Sequence, residues 1–267
     1  MMSVSPAVTP EPVDLPYFPD PVGPAGKIGL ITLATDFNSE DDLRNILPDD
    51  VRLFTTRIEN ANPVTVENLR SMAADLPRAA RTLMPGYGVD VVIFGCTSGT
   101  AVTGSDKIAE LINQGMPGVR VTNPMLASEL ALRAVGAQKI AIVTPYLAEV
   151  TQSVASGFTA RGFEATRMMG FGLDSDLDMT ALPPSALLEA ALKVDTPDAD
   201  AVFISCTAIR SAEIAAKAEQ QLGKPVITSN QALIWHALHL LGYDKPVTGF
   251  GTLFDHAPQP EEQVEAS

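Results

Sequence analysis

Basic residues are scarce in this chain of 267: 18 lysines and arginines stand against 32 aspartates and glutamates, a formal net charge of −14. That balance excludes a nucleic-acid backbone as partner, because neutralising phosphates takes clustered lysine and arginine. It leaves room for a small anionic ligand, since one pocket can be lined with donors inside an acidic protein. Cysteine is rarer still, with two residues, too few for the disulfide framework of a small secreted domain. Two reduced thiols in a cytoplasmic protein are the expectation. His236 and His239 lie three apart, but no cysteine or carboxylate cluster at ligand spacing accompanies them, so no metal is expected. The single tryptophan, Trp235, reads as a core or interface residue. No apolar run nears the ~20 residues that cross a bilayer. The first residues have neither the basic segment nor the apolar stretch of a secretion signal, so no membrane partner is expected. "GFGLDSD" from Gly170 lacks the third glycine of a dinucleotide fingerprint. "DSDLD" from Asp174 lacks the glycine and closing glutamate of a calcium loop and reads as a solvated acidic loop.

What is present is enough apolar residue, 46%, to build a sizeable core. Residues 1–26 hold seven prolines and read as an extended arm, and residues 257–267 read as a flexible acidic tail. Between them strand and helix signals alternate. "KIGLITLA" from Lys27 and "VRLFTTRI" from Val51 read as strands. "NPVTVENLRSMAADLPRAARTLMPG" reads as one long amphipathic helix, with Pro63 in its first turn and Pro85-Gly86 at its end. The order then repeats. "QKIAIVTPY" echoes "GKIGLITLA", "ADAVFISC" echoes "VDVVIFGC", and "KPVITSN" echoes "VRVTNP". Lys27 and Lys139 are 112 apart, Cys96 and Cys206 110, Thr122 and Thr228 106. Three landmarks in one order at nearly one offset indicate an internal duplication of a parallel βαβ unit. The expected fold is α/β, with two pseudo-symmetric Rossmann-like lobes. Each lobe has a parallel sheet flanked by helices, and the active site sits in the cleft between them. The lobes are expected over residues 27–130 and 131–234, with 235–256 completing the first.

Both cysteines end an apolar run and so fall at the carboxyl edge of their sheets, where ligands of open α/β layers bind. Each precedes a Thr and a small residue, at the expected start of a helix. Backbone N–H groups over Thr97–Gly99 and Thr207–Ala208, with the hydroxyls of Thr97, Ser98 and Thr207, would favour an anion there and lower the thiol pKa from ~8.5. Two thiols facing each other across a cleft suit a small carboxylate. One takes a proton from one face while the other supplies one, or one adds to a double bond. Neither route needs a cofactor.

The strings "GCTSGT", "TPYLAEV", "FISCTAIR" and "PVITSNQALIW" resemble the aspartate/glutamate racemase superfamily over about residues 27 to 255. The resemblance is nearest the branch of maleate cis-trans isomerase, arylmalonate decarboxylase and the ectoine-utilisation proteins. "NPVTVENLRSM" and "SNQALIW" are most similar to the last of these. It implies a cofactor-independent isomerase, a racemase or cis-trans isomerase of a small amino or carboxylic acid, in ectoine or hydroxyectoine breakdown. A maleate isomerase, an arylmalonate-type decarboxylase and a non-catalytic metabolite-binding protein are the alternatives. It also implies catalytic roles for Cys96 and Cys206, and a substrate carboxylate held by Thr97, Ser98 and Tyr146. The decarboxylases keep only the cysteine matching Cys206, so the presence of Cys96 departs from their pattern. Asp36, in "ITLATD", falls where maleate isomerases carry a carboxylate-binding asparagine. Two readings follow: Asp36 faces the amine of a substrate such as a diaminobutyrate derivative, or it caps the next helix or faces a basic side chain. A homo-oligomer built from dimers is expected.

Overall fold

The computed structural model describes residues 9–16 and 21–258. Residues 9–16 of the arm are exposed and carry neither helix nor strand. The rest of the expected arm up to Asp20, apart from that stretch, and the acidic tail from residue 259 lie outside the described residues.

The first half runs β1 (Gly26–Leu33), α1 (Ser39–Ile46), β2 (Val51–Ile58), α2 (Val66–Ser71), α3 (Leu76–Thr82), β3 (Val91–Phe94), α4 (Thr97–Thr103), α5 (Ser105–Gly115), β4 (Arg120–Thr122) and α6 (Pro124–Ala134). The second runs β5 (Lys139–Tyr146), α7 (Ala148–Thr159), β6 (Glu164–Leu173), α8 (Asp176–Thr180), α9 (Pro184–Val194), β7 (Ala201–Ile204), α10 (Ala215–Leu222), β8 (Val226–Thr228) and α11 (Ser229–Leu241). The strands form two four-stranded sheets, ordered β2-β1-β3-β4 and β6-β5-β7-β8, and every pairing is parallel. The same strand order twice is the structural counterpart of the repeated sequence. The α/β class is that expected.

Central strands covered on both faces have no polar side to show, which is why they read as unbroken apolar runs. Val91–Phe94 and Ala201–Ile204 are wholly buried. Their ends set the site. Ile31 pairs with Phe94 and Val143 with Ile204, so Cys96 and Cys206 each emerge two residues beyond a matched register position. The two halves also exchange packing. Helix α11 follows the second sheet yet lies against β3 and β4 of the first, while α6 follows the first and touches β8. Thr122 of β4 and His236 Nδ1 of α11, 2.8 Å apart, share a buried hydrogen bond across that exchange. Burial holds His236 neutral, with its pKa lowered to about 4. Trp235 is buried and donates its indole N–H to the His256 carbonyl at 2.9 Å.

Three local expectations are corrected. The long helix is broken: α2 ends at Ser71, a 3₁₀ turn fills Met72–Asp75, and α3 starts at Leu76. Pro77 has no N–H to give to the Ala73 carbonyl, which takes the Leu76 N–H in a tighter turn instead, so the helical ladder is interrupted and restarts with Pro77 in the first turn of α3. Pro63 lies before this segment, and the helix start is capped instead by the Thr65 hydroxyl, which accepts from Asn68 N–H at 3.3 Å. Third, no helix begins at Cys206: residues 207–209 form bends, Arg210 and Ser211 are irregular, and regular structure resumes only at Ala212.

Phe203 of β7 shows how tightly the second lobe is packed. It is fully buried and meets Phe158 edge to face at 4.8 Å, and Phe158 meets Phe163 at 5.9 Å. Phe203→Ala is expected to lower unfolding free energy by about 3–5 kcal/mol, the usual cost of emptying such a site. Urea denaturation checks this, and a loss below 1 kcal/mol contradicts the packing described.

Candidate active site

Cys96 and Cys206 line one cavity, with Asp36, Thr97, Ser98, Tyr146, Thr207 and Ala208 around them. As it stands the cavity is tight, with a free volume of about 20 Å³, close to that of a single water. Of the expected site residues, Gly99 alone is not in the wall. Its place is behind Cys96, where an added Cβ would come within 2.2 Å of Met72 Cε and 3.0 Å of Cys96 Sγ. Its N–H donates to Cys96 Sγ at 3.3 Å. The corresponding contact in the second half is the Ala208 N–H, 3.4 Å from Cys206 Sγ.

The two cysteine loops differ in backbone. Cys96 caps the N-terminus of α4 in an extended conformation, φ −149°. Cys206 sits at φ +99°, a region that non-glycine residues rarely occupy and that costs on the order of 1–3 kcal/mol. Fixed partners hold it there. Its N–H donates to Ser229 Oγ at 3.1 Å, and the same oxygen accepts from Thr97 Oγ1 at 2.9 Å. Thr207 carbonyl accepts from Asn230 Nδ2 at 2.8 Å and from Asn38 Nδ2 at 3.2 Å, and Thr207 Oγ1 donates to the Gly95 carbonyl at 3.1 Å. Thus Ser229 ties the two thiol loops to each other, and the hydroxyl protons of Thr97 and Thr207 are already committed within the protein.

The polar groups left for a ligand are fewer than the sequence suggests. Tyr146 is 2% exposed and its hydroxyl has no hydrogen-bond partner among the described residues. It stands beside the Cys206 thiol and the Ser205 hydroxyl, without hydrogen-bond geometry to either, and burial raises its pKa well above the ordinary tyrosine value. Ser98 Oγ is 3.7 Å from Cys96 Sγ. Asp36, by contrast, is fully engaged. Oδ1 accepts from the N–H groups of Asn38 and Ser39, both at 2.8 Å, and Oδ2 from the hydroxyls of Thr32 at 2.9 Å and Ser39 at 2.6 Å. Of the two readings of Asp36, these bonds follow helix capping. Arg210, in the Cys206 loop, does not line the cavity.

Two expectations about electrostatics and composition are overturned. The thiols are not acidified: burial pushes both up to about 12, outweighing the N–H groups of Gly99 and Ala208, the Ser98 hydroxyl and the Tyr146 hydroxyl. And the "DSDLD" stretch is not simply solvated. Asp174 and Asp178 are exposed, but Asp176 is 7% exposed and lines the cavity. Its Oδ2 accepts from Thr35 Oγ1 at 2.5 Å and Asn60 Nδ2 at 2.8 Å, both from the first half of the chain. Asn60 and Met72 also line the cavity, and they too were missed. Nothing in a short acidic run marks which aspartate turns inward. Only the amphipathic spacing of Asp176 and Met179, both buried in α8, carried a trace of it.

A family model described as arylmalonate decarboxylase matches residues 57–254. Maleate isomerase of Geobacillus stearothermophilus is 26% identical over 242 residues, covering 85% of this chain and 96% of that protein. Arylmalonate decarboxylase of Bordetella bronchiseptica is 24% identical over 201 residues, covering 73% and 82%. The structure of Nocardia farcinica maleate cis-trans isomerase, a cysteine-to-serine mutant with a covalently bound succinylcysteine intermediate, superposes with a TM-score of 0.79 at 23% identity. It covers 85% of this chain and 97% of that one, a likeness of fold.

Beneath the Cys206 loop lies a buried carboxyl, Asp42, whose Oδ2 accepts from Asn38 Nδ2 at 2.8 Å and Asn230 Nδ2 at 2.7 Å. Desolvation raises its pKa to about 7, against the two amides, with Glu213 and Asp36 adding to the rise. An acid whose folded pKa is raised keeps its proton in the fold while the unfolded chain loses it. Stability from this group is therefore full below pH ~4 and falls as pH climbs to about 7, in all by on the order of 4 kcal/mol. Asp42→Asn keeps an acceptor for both amides and cannot ionise. Relative to the parent it is expected to be more stable at pH 8 than at pH 5, by urea denaturation at the two values. A stability difference independent of pH contradicts this.

Proposed function

We propose, since the chain belongs to the arylmalonate decarboxylase family, that it is a cofactor-independent isomerase acting through Cys96 and Cys206 on a small amino or carboxylic acid. The observation that carries the reading is the convergence of both thiols, each with a backbone N–H on its sulfur, on one small cavity that also holds the unpartnered Tyr146 hydroxyl. A metabolite-binding protein has no use for two desolvated nucleophiles. An arylmalonate-type decarboxylation requires one thiol, and the second is what favours isomerisation here.

A proton α to a carboxylate is weakly acidic, and a desolvated thiolate is a stronger base toward it than a solvated one; burial keeps both thiols protonated in the empty cavity, so one must ionise when substrate binds. The enzyme acts with one cysteine ionised and one protonated. In the racemising form, the thiolate takes the α-proton, the electron pair moves into the carboxylate as an enediolate, and the opposite thiol returns a proton to the other face. In the cis-trans form, the thiolate adds to one alkene carbon and the partner thiol protonates the other. The former double bond then rotates, and elimination reverses both transfers. In either form charge develops on the substrate carboxylate, where the Tyr146 and Ser98 hydroxyls donate. The succinylcysteine of the Nocardia isomerase supports the addition form. A place in ectoine or hydroxyectoine breakdown rests on sequence resemblance alone. The expected homo-oligomer rests on the proline-rich arm and on the apolar face of the Leu69–Leu83 segment.

Incubation of the protein with a panel of amino and unsaturated acids in heavy water is the test. Deuterium at the α-carbon, or interconversion of cis and trans isomers, is expected; release of carbon dioxide instead supports the decarboxylase reading. Cys96→Ser and Cys206→Ser should each lose about 10²–10⁴ in rate, the usual effect of removing one acid/base group. Full turnover by Cys96→Ser overturns the two-thiol mechanism and leaves Cys206 acting alone.

A further inference from the structure

The cavity wall contains no lysine, arginine or histidine among the described residues, but it contains two carboxyl groups, Asp36 and Asp176. They are not equivalent. Asp36's oxygens are taken up by the start of α1 and by Thr32 of β1. Asp176 uses Oδ2 on Thr35 and Asn60, and among the described residues no hydrogen bond reaches its Oδ1. On the same wall the Tyr146 hydroxyl, beside the Cys206 thiol, is a buried donor with no hydrogen-bond partner among the described residues. An unused donor and an unused carboxylate oxygen in one enclosed space are the complement of a zwitterion. They are a poor match for a dianion, which would meet Asp176 with no protein cation nearby to offset the repulsion.

We propose that Asp176 makes this cavity selective for an acid bearing a cationic nitrogen, with the nitrogen against Asp176 and the carboxylate taken by Tyr146 and Ser98. The assignment rests on the cavity being the substrate site, as argued above. Asp176 is well built for the role. It opens α8 in the second half of the chain, and Thr35 and Asn60 reach it from the first, so its carboxylate is oriented by both lobes. The neighbouring Asp174 carbonyl accepts the Val64 N–H at 2.7 Å, which fixes the loop against the first half on its other side. Burial holds the Asp176 carboxyl above the usual carboxylate range, opposed by Thr35 and Asn60. A bound ammonium supplies the counter-charge the protein lacks.

The test uses protection of the two thiols from iodoacetamide, read by mass spectrometry of the intact protein. The probes are 2-, 3- and 4-aminobutyrate, each with one carboxylate and one ammonium, against succinate and maleate. In the parent protein at least one aminobutyrate is expected to protect at a concentration at least tenfold below either dicarboxylate. In Asp176→Asn that ratio should fall by at least tenfold. Asp178→Asn removes an exposed charge of the same helix and leaves the cavity wall as it is, so it should retain the parent's preference. This separates a charge in the cavity from the acidity of the helix as a whole. Better protection by the dicarboxylates, protection by neither class, or a ratio unmoved in Asp176→Asn overturns the proposal. The two-thiol mechanism is judged separately, by the turnover of the cysteine variants, and survives or fails without reference to these ratios.

Discussion

The arrangement depends on how one strained turn is held. Cys206 has a left-handed backbone that its side chain disfavours, and nothing in the apolar strand before it would keep it there. What keeps it is a plug of buried amides and hydroxyls. Ser229 accepts the Cys206 N–H, Asn38 and Asn230 donate to the Thr207 carbonyl, and Asp42 accepts from both amides. These groups come from α1 in the first half and α11 at the end of the chain. The cysteine of the second lobe is therefore positioned largely by residues outside its own sheet. Because unpaired polar groups are costly in such a place, the members of the plug support one another, and disturbing one moves the turn.

The same burial that makes the plug strong makes the thiols poor acids. Taking a thiol out of water disfavours the thiolate, and the Gly99 and Ala208 N–H groups recover only part of that cost. Under the proposed mechanism the thiolate would form in the cavity, where lack of water makes it a strong base, while its N–H donors, already in place, need no reorganisation when charge appears. An acidified, solvated thiolate would be easier to form and weaker as a base.

Much of the fold was legible because its signals are local. The strands "VVIF" and "AVFI" are apolar on both faces, and the repeat offset put two copies of one topology in view before any coordinates. The cysteines' place at the sheet edge followed from the same pattern. The miscues came where tertiary contacts decide. Pro77 broke a helix whose apolar spacing ran straight through it. The Cys206 loop looked like the Cys96 loop in sequence, yet only one of them opens a helix. The thiol pKa was inferred from a helix end and an exposed nest, whereas desolvation, invisible in a linear sequence, outweighs both. Asp176 sat in an acidic run that reads as surface, and its burial depends on Thr35 and Asn60, more than a hundred residues away.

A duplicated fold would supply two equal half-sites, and this one has stopped doing so. Each half still ends its third strand in Cys-Thr and still aims a backbone N–H at the sulfur. Beyond that the halves have diverged. The first contributes Ser98 and a helix-capping cysteine, the second a strained cysteine, the free Tyr146 hydroxyl and the Asp176 carboxylate. Under the proposed function, a substrate with two identical ends would gain nothing from such a cavity. One with chemically different ends would be held in a single orientation, each thiol meeting a defined face of it. The symmetry of the scaffold brings two sulfurs to one cavity, and the asymmetry of the wall would decide which face each of them meets.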